Sequence, residues 1–272
     1  MTVGEVIKQL EAELASVSDA PRIEAELLCA FALGKKRVGF EEKRSLFPGK
    51  STEALDALLQ RRLGGEPIQY ILGEWEFMGL PFFTEPCALI PRQDTETLVE
   101  AALGLIRERG YRTALDICTG TGCIAVSLKK LGGLERVSAS DISPECVSLA
   151  ERNAERNGVG IEFSVRDLFE GHGRYDLVTA NPPYINNEDM ARLQREVKRE
   201  PALALCGGED GLDLYRRIAE SRRGHINPGG AMLLEVGMGQ ARQVAELFAG
   251  AKTDIIKDLC GVERVVAVYE SR

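Results

Sequence analysis

The segment TALDICTGTGCIAVSL, residues 113–128, predicts a β-strand, a glycine turn and a helix in direct succession. Its first residues have the composition of a buried strand, and the apolar run after Gly122 has that of a helix. Between them, Gly120 and Gly122 let the backbone approach a ligand closely, and the following helix N-terminus presents unpaired N–H groups. The segment therefore predicts a nucleoside pocket at a strand end of an α/β fold.

Three aspartates lie where predicted strands end. Asp141 closes the next apolar run after the turn, where a carboxylate can accept both ribose hydroxyls of a nucleoside. Asp116 precedes the turn and is expected to take the ammonium group of a methionine moiety. Asp167, with Leu168 beside it, is expected to meet an adenine amino group. Each aspartate has a structural alternative, since such carboxylates also cap helices or pair with basic side chains.

The glycine turn alone does not identify the cofactor. Residues 120–125 also satisfy the dinucleotide pattern G-x-G-x-x-[G/A], so NAD and S-adenosylmethionine both remain open at this point. Acids around one crevice favour a cationic sulfonium ligand, because they repel a pyrophosphate. We therefore predict S-adenosylmethionine, held by Asp116, Cys118, Thr119, Gly120, Thr121, Gly122, Asp141, Asp167, Leu168 and Asn181.

A second site is predicted at Asn181-Pro182-Pro183-Tyr184, directly after an apolar run. Two successive prolines remove two backbone donors, so nearby carbonyls are free to accept hydrogen bonds from a ligand. Asn181 adds a side-chain carbonyl, and Tyr184 adds a flat ring. A simple turn is the alternative. We predict a clamp for a planar NH2 group, in which Asn181, Pro182 and Tyr184 are catalytic and Pro183 also contacts the substrate.

From residue 113 onward, strand patterns alternate with helical patterns, which predicts a mainly parallel sheet with helices on both faces. Ligands of such sheets bind outside the carboxyl ends of the strands, so the aspartates and Asn181 are expected to converge on one crevice. Residues 259–263 are too few for a crossover helix, so the last two strands are expected to be antiparallel. The predicted strands are 113–117, 137–140, 161–165, 177–180, 232–236, 255–258 and 264–269.

The N-terminal part predicts a separate organisation. In residues 1–73 apolar residues recur at helical spacing, as in Val6, Leu10 and Leu14, which predicts a small helical bundle. Such a bundle either stabilises the rest of the chain or recognises a partner, and we expect substrate recognition. Residues 74–90 predict a linking β-hairpin, and residues 91–272 the catalytic domain.

Composition excludes several classes of protein. The 272 residues are 44% apolar and 28% charged, as in soluble globular proteins. No apolar stretch approaches the ~18 residues that cross a bilayer, and the N-terminus lacks the pattern of a signal peptide, so we expect a cytoplasmic protein without membrane contact. The net charge of −8 disfavours broad nucleic-acid binding. The seven cysteines include no C-x-x-C pair, so no disulfide framework or metal site is expected.

The chain resembles the release-factor glutamine methyltransferases, the protein-(glutamine-N5) methyltransferase family, over nearly its whole length. This resemblance implies a Rossmann-like, S-adenosylmethionine-dependent sheet and methylation of the glutamine in the Gly-Gly-Gln motif of peptide-chain release factors, during translation termination. Release factors are the implied protein partner, and we expect a monomer. The motifs that carry the resemblance are Pro67-x-x-Tyr70-x-x-Gly73, Pro91-Arg92, Asp116-x-x-Thr-Gly-Thr-Gly122, Asn181-Pro-Pro-Tyr-Ile185 and Glu200-Pro201.

Alternatives stay open beside this resemblance. Asn-Pro-Pro-Tyr is shared with enzymes that methylate adenine or guanine amino groups of DNA or RNA, and an NAD-dependent oxidoreductase or a non-catalytic nucleoside sensor fits the glycine turn. The chain also departs from the family at position 118, where glycine is common and cysteine stands here. We expect Cys118 to have an ordinary backbone conformation, because a positive φ would cost about 1 kcal/mol.

Overall fold

A computed structural model describes residues 1–271, which form two compact units. The first unit contains residues 1–73 and the segment 194–199. The second contains residues 74–193 and the chain from Glu200 onward.

The first unit is a helical bundle. Helix α1 begins with a capping box, in which the Thr2 hydroxyl accepts the Glu5 N–H at 3.3 Å and the Glu5 carboxylate accepts the Thr2 N–H at 2.7 Å. The apolar residues at helical spacing form its core, among them Leu10 and Leu28. The helices are α1 (Val3–Leu14), α2 (Pro21–Ala32), α3 (Phe40–Arg44), α4 (Thr52–Leu63) and α5 (Ile68–Leu72), with 3-10 turns at Gly49–Ser51 and Val197–Arg199.

A buried ion pair joins the separate segments of the first unit. The Arg62 side chain is buried in α4 and lies 2.7 Å from the Glu24 carboxylate of α2. It also lies 2.8 Å from the Glu196 carboxylate in the segment 194–199. Separating these groups would leave the Arg62 charge buried without a partner, which is costly. Arg62 therefore holds the segment 194–199 against the helices of its unit.

The second unit begins with the predicted β-hairpin. Strands β1 (Glu74–Phe77) and β2 (Leu80–Phe83) pair antiparallel around Met78 and Gly79. Both turn residues have positive φ, 52° and 71°, as a type I′ turn requires. The side chain of Asn153 holds the hairpin edge, since its Oδ1 accepts the Phe83 N–H at 2.6 Å.

A seven-stranded sheet forms the centre of the second unit, in the order β5-β4-β3-β6-β7-β9-β8. The first five of these strands are parallel, and β9 runs antiparallel to both neighbours. This confirms the predicted α/β fold with an antiparallel final strand. The elements are α6 (Gln93–Arg109), β3 (Thr113–Ile117), α7 (Cys123–Gly132), β4 (Arg136–Asp141), α8 (Pro144–Asn157), β5 (Glu162–Val165), β6 (Tyr175–Ala180), α9 (Asn187–Arg192), α10 (Ala202–Leu205), α11 (Asp213–Ser221), β7 (Ile226–Glu235), α12 (Ala241–Leu247), β8 (Lys252–Lys257) and β9 (Glu263–Tyr269).

Hydrophobic cores cover both faces of this sheet. Successive strand residues point to opposite faces, so Leu177 and Val178 of β6 belong to different cores. Helices α6, α7 and α8 pack on the face of Leu177, and α11 and α12 pack on the face of Val178. The central strands are therefore buried on both sides, and their carboxyl ends are left for ligands.

Among residues 1–271, no helix combines the length and the apolar character needed to span a membrane.

Candidate active site

A cavity of about 410 Å³ opens at the carboxyl ends of β3, β4 and β6. Its lining is more apolar than polar, which is usual for sites that bind small organic molecules. The lining comes from residues 87–92 and Thr95, the glycine turn, the segments near 141–146 and 166–168, Asn181 with Pro183, the segment 201–206, and Leu214 and Arg217.

The two glycines of the turn serve different purposes. Gly120, with φ of 53°, lines the cavity, and a Cβ placed there would meet only Ala88 Cβ at 3.9 Å. Gly122, with φ of 78°, faces helix α8, where a Cβ would come within 2.9 Å of Ala150 Cβ. Gly120 thus leaves space for a ligand, whereas Gly122 allows close helix packing and does not line the cavity.

Cys118 does not have the ordinary backbone conformation expected from the sequence. Its φ is +57°, so the chain enters the turn in the left-handed region that favours glycine. The turn needs this conformation because Thr119 N donates to the Ser140 carbonyl of the adjacent strand at 3.0 Å. Burial raises the pKa of the Cys118 thiol, so the side chain is a neutral part of the cavity wall.

Asp141 lies at the cavity and organises its backbone. Its Oδ2 accepts the Gly120 N–H at 2.9 Å, and its Oδ1 accepts the Ser143 N–H at 3.0 Å. Burial raises the pKa of this carboxyl, while the two N–H donors favour its charged form. Asp141 therefore offers an acceptor to a ligand and fixes the turn that lies beside it.

Asp116 occupies a different place from the one predicted. Within the predicted strand 113–117, Asp116 points to the face that α6, α7 and α8 cover, so it is fully buried and does not line the cavity. Its two oxygens accept the hydroxyls of Thr119 at 2.6 Å and Thr179 at 2.7 Å. Burial raises its pKa to about 7. Asp116 therefore does not reach a ligand in the cavity to make the predicted contact with an ammonium group. It stabilises the turn from within the core instead.

Asp167 and Leu168 line the cavity on the side of β5. Asp167 Oδ2 is paired with Arg217 Nη2 at 2.6 Å, and both side chains are partly exposed. Leu168 has φ of 48°, which turns the chain sharply after Asp167. No local pattern indicates Arg217 as a partner of Asp167, because Arg217 lies on helix α11, far along the chain.

The residues of the Asn-Pro-Pro-Tyr motif divide into two groups. Asn181 and Pro183 line the cavity, whereas Pro182 is buried and does not. Tyr184 also lies outside the lining; it packs on the core that contains Val178, and its carbonyl accepts the Gln240 side-chain amide at 3.0 Å. Burial raises the Tyr184 pKa to about 12. The expected stacking of this ring on the ligand is therefore replaced by a role in fixing the motif.

The amide of Asn181 has a defined partner. Its Nδ2 donates to Thr95 Oγ1 in the first turn of α6 at 3.2 Å. This leaves the side-chain oxygen as the acceptor that Asn181 can offer to a ligand.

Residues 87–92 form a cavity wall that sequence reasoning did not assign to the site. Glu200 holds this wall, because its Oε2 accepts the Ile90 N–H at 3.0 Å and its other oxygen pairs with the Arg92 guanidinium. Pro91-Arg92 and Glu200-Pro201 were noted as separate motifs, and the structure brings them together. Within residues 1–271, no group of histidine, cysteine or acidic side chains is arranged to hold a metal ion.

The chain is similar in sequence to proteins of a known family. Two family models match the chain, the methyltransferase small domain over residues 95–203 and the PrmC N-terminal domain over residues 5–73. A release factor glutamine methyltransferase of Geobacter sulfurreducens is 43% identical over 253 residues, which cover 90% of this chain and 88% of that protein. The chain belongs to the release factor glutamine methyltransferase family.

Further members of the release factor glutamine methyltransferase family match equally long stretches. The Koribacter versatilis protein is 38% identical over 266 residues, which cover 96% of this chain and 94% of that protein. A methyltransferase structure from Pyrococcus furiosus superposes with a TM-score of 0.54 at 20% identity, over 82% of this chain and all of that one. This structural likeness shows that the two chains share a fold.

Proposed function

We propose that this protein transfers a methyl group from S-adenosylmethionine to the side-chain amide nitrogen, N5, of the glutamine in the Gly-Gly-Gln motif of peptide-chain release factors. One observation carries the proposal: Asn181, which starts the acceptor motif, lines the same cavity as the glycine turn and Asp141. The names of the Geobacter and Koribacter relatives support the substrate. A nucleic-acid amino-methyltransferase is not favoured by these relatives.

The cavity suits S-adenosylmethionine, which supplies a methyl group bound to a cationic sulfur. Asp141 places a carboxylate beside the glycine turn, where it attracts a cation, whereas the charge of Asp167 is paired with Arg217. Asp141 would accept the ribose hydroxyls, and Asp167 with Leu168 would lie beside the adenine once Asp167 exchanges its bond to Arg217. The cavity wall next to the donor would consist of Cys118, Thr119, Gly120 and Thr121. Gly120 has no side chain and therefore leaves space for the donor.

The Asn-Pro-Pro-Tyr motif would allow the glutamine amide nitrogen, a weak nucleophile, to react. An amide nitrogen is a poor nucleophile because its lone pair is delocalised into the carbonyl. In our proposal, the Asn181 side-chain oxygen accepts one N–H of the substrate amide. The Pro182 carbonyl, which belongs to the peptide bond with the cavity residue Pro183, accepts the other, although the Pro182 ring itself is buried. Both acceptors bind more strongly as the nitrogen gains positive charge in the transition state, so they lower the barrier. Pro183 would contact the substrate, and Tyr184 would hold the motif in place.

The proposed activity is tested by product analysis. Purified protein and methyl-labelled S-adenosylmethionine are incubated in parallel with unmodified release factor and with DNA or RNA, and the labelled product is mapped by mass spectrometry. Label on the glutamine of the Gly-Gly-Gln peptide is expected. A release factor in which this glutamine is replaced by alanine serves as the control and should stay unlabelled. Label on a nucleic acid, or on none of the substrates, would overturn the proposal.

The helical unit is proposed to recognise the release factor. Its surface carries apolar side chains that are well exposed, including Phe40 at 74% and Leu46 at 76%. Exposed apolar groups on a soluble unit are favoured places for contact with a protein partner. Replacing both with serine should raise the KM for the release factor and leave the affinity for S-adenosylmethionine unchanged. An unchanged KM would contradict recognition by this surface.

The predicted cytoplasmic location, monomeric state and lack of stable nucleic-acid binding belong to the same proposal. A release factor substrate supports the cytoplasmic location, and the net charge of −8 supports the lack of stable nucleic-acid binding.

A further inference from the structure

Glu235 is a buried carboxylate that the proposed chemistry has not used. It is the last residue of β7, follows the buried run Ala231–Leu234, and is only 1% exposed. Among the residues that the structure describes, its Oε2 has no hydrogen-bond partner. A buried carboxylate with an unsatisfied oxygen is costly, so its presence beside a functional residue calls for a reason.

Strand register places this carboxylate next to the acceptor motif. Ala180 of β6 pairs with Leu234 of β7 in parallel register, so the following residues, Asn181 and Glu235, are neighbours. Adjacent strands lie about 4.8 Å apart, and side chains at the same register point to the same face. That face is covered by α6, whose first turn contains Thr95.

Thr95, Asn181 and Glu235 form one polar group. Asn181 Nδ2 donates to Thr95 Oγ1 at 3.2 Å. Thr95 and Asn181 lie near enough to the Glu235 carboxyl to work against the effect of burial on its pKa. The N-terminus of α6 further favours negative charge at this position.

The Glu235 carboxylate favours one of the two orientations of the Asn181 side-chain amide. An ionised carboxylate only accepts hydrogen bonds, whereas the Asn side chain has a donor end and an acceptor end. With Glu235 charged, the NH2 end of Asn181 is held toward Glu235 and Thr95, and the oxygen is left toward the cavity. In the flipped orientation, a carbonyl would face a carboxylate, and the cavity would be offered a donor.

We propose that Glu235 is a positioning residue that fixes the orientation of the Asn181 amide, so that its oxygen accepts the N–H of the substrate. This inference rests on the proposed methyl transfer to an amide nitrogen. Glu235 does not line the cavity. It acts through Asn181 and Thr95, which do. The orientation depends on the charge of Glu235, because a protonated carboxyl can donate to the flipped amide.

The charge of Glu235 is expected to change near neutral pH. Burial raises the pKa of the Glu235 carboxyl to about 7. Charged and titratable groups on neighbouring elements also face this carboxyl. Asp94 on α6 raises the pKa further, while Arg264 on β9 lowers it. Tyr184, Tyr215 and Cys123 also sense the carboxylate, and burial raises the pKa of each of them, which keeps them neutral near pH 7.

The test compares Glu235→Gln with the wild type. A glutamine has the same shape and can pair with either amide orientation, so kcat should fall about tenfold or more, while the Kd for S-adenosylmethionine changes less than twofold. The wild-type kcat should decline below pH 7, and this decline should be absent in Glu235→Gln. Glu235→Asp, which keeps a carboxylate, should retain the decline. The exposed Glu246→Gln is the matched control and should behave as wild type.

A second measurement does not depend on activity. The NMR resonances of the Asn181 side-chain NH2, identified by their loss in Asn181→Ala, should titrate near pH 7 in the wild type and stay constant in Glu235→Gln. If Glu235→Gln does not fold, Thr95→Val and Thr95→Ser replace it: the valine variant should lose kcat, and the serine variant should keep it. A wild-type pH profile and kcat in Glu235→Gln, or NH2 resonances that do not titrate, would overturn the proposal. Absence of glutamine methylation by the wild-type protein with titrating NH2 resonances would reject the proposed function and leave the positioning intact.

Discussion

Thr119 Oγ1 donates a 2.6 Å hydrogen bond to Asp116 Oδ2, which ties the glycine turn to the strand before it. The other oxygen of Asp116 accepts the hydroxyl of Thr179 on β6, the strand that leads into Asn181. A single buried carboxylate therefore connects the donor turn with the acceptor strand. Hydrogen bonds of this kind to a charged group contribute about 1.5–3 kcal/mol each.

Asp116→Asn should weaken the binding of S-adenosylmethionine about tenfold. The amide keeps the size of the side chain but has one NH2, which cannot accept a hydroxyl, so either Thr119 or Thr179 loses its acceptor. Calorimetric titration of the donor measures the effect. Ser138→Ala, which removes a buried hydroxyl on β4 away from the turn, should leave the Kd unchanged. Equal donor affinity in Asp116→Asn and wild type would show that Asp116 does not support the turn.

Cys118→Gly should be more stable than Cys118→Ala by about 1 kcal/mol. Both variants lose the same thiol contacts, but only alanine keeps a Cβ at a φ of +57°. Urea denaturation of the two variants provides the comparison. At an ordinary φ, alanine would be the more stable residue, so the opposite ranking would contradict the left-handed conformation.

Asp141→Asn should reduce the affinity for S-adenosylmethionine by tenfold to a hundredfold. Asp141 accepts the Gly120 N–H and faces the cavity, so the change weakens the turn and also replaces one ribose acceptor by a donor. Titration calorimetry measures the loss, with the exposed Asp254→Asn as a control of equal charge change. Full affinity in Asp141→Asn would remove the ribose assignment.

The sheet and its ligand-binding edge were predictable because they depend on local patterns. Apolar runs followed by Asp141 and Asn181 mark strand ends, and parallel strands bring their carboxyl ends together. Asp116 shows the limit of this reasoning. The strand has the predicted bounds, 113–117, but Asp116 is its fourth residue, and its carboxylate points into the core and not at the cavity.

Other features depended on the packing of distant segments. Arg217 reaches Asp167 from α11, and Glu200 holds residues 87–92 from more than a hundred residues away in sequence. Glu235 did have a local indication, because it ends an apolar strand as Asp141 does. The positive φ of Cys118 had no indication in its own residue type, because a side chain at such a φ is costly and an ordinary conformation is the default expectation.

Glu235→Gln should stabilise the protein at pH 8. The unfolded chain releases this proton near the usual pKa of 4.5, whereas the folded protein keeps it to about 7. In this window the folded state binds the extra proton, so the free energy of unfolding falls as the pH rises from 4.5 to above 7. Glutamine avoids this loss, which amounts to at most about 3 kcal/mol.

Urea denaturation at pH 5, 6.5 and 8 measures the difference between Glu235→Gln and wild type. The difference should be small at pH 5 and grow with pH, while Glu246→Gln follows the wild type throughout. A variant that is more stable by the same amount at every pH would contradict a raised pKa in the folded state.

The most direct test of the account is the kinetic analysis of Asn181→Ala with release factor and S-adenosylmethionine. The Asn181 oxygen is proposed to bind the acceptor nitrogen in the transition state, so kcat should fall by at least a hundredfold while the donor Kd, measured by calorimetry, stays within about threefold of wild type. Turnover close to the wild-type rate would contradict the assignment of Asn181 as the residue that orients the amide.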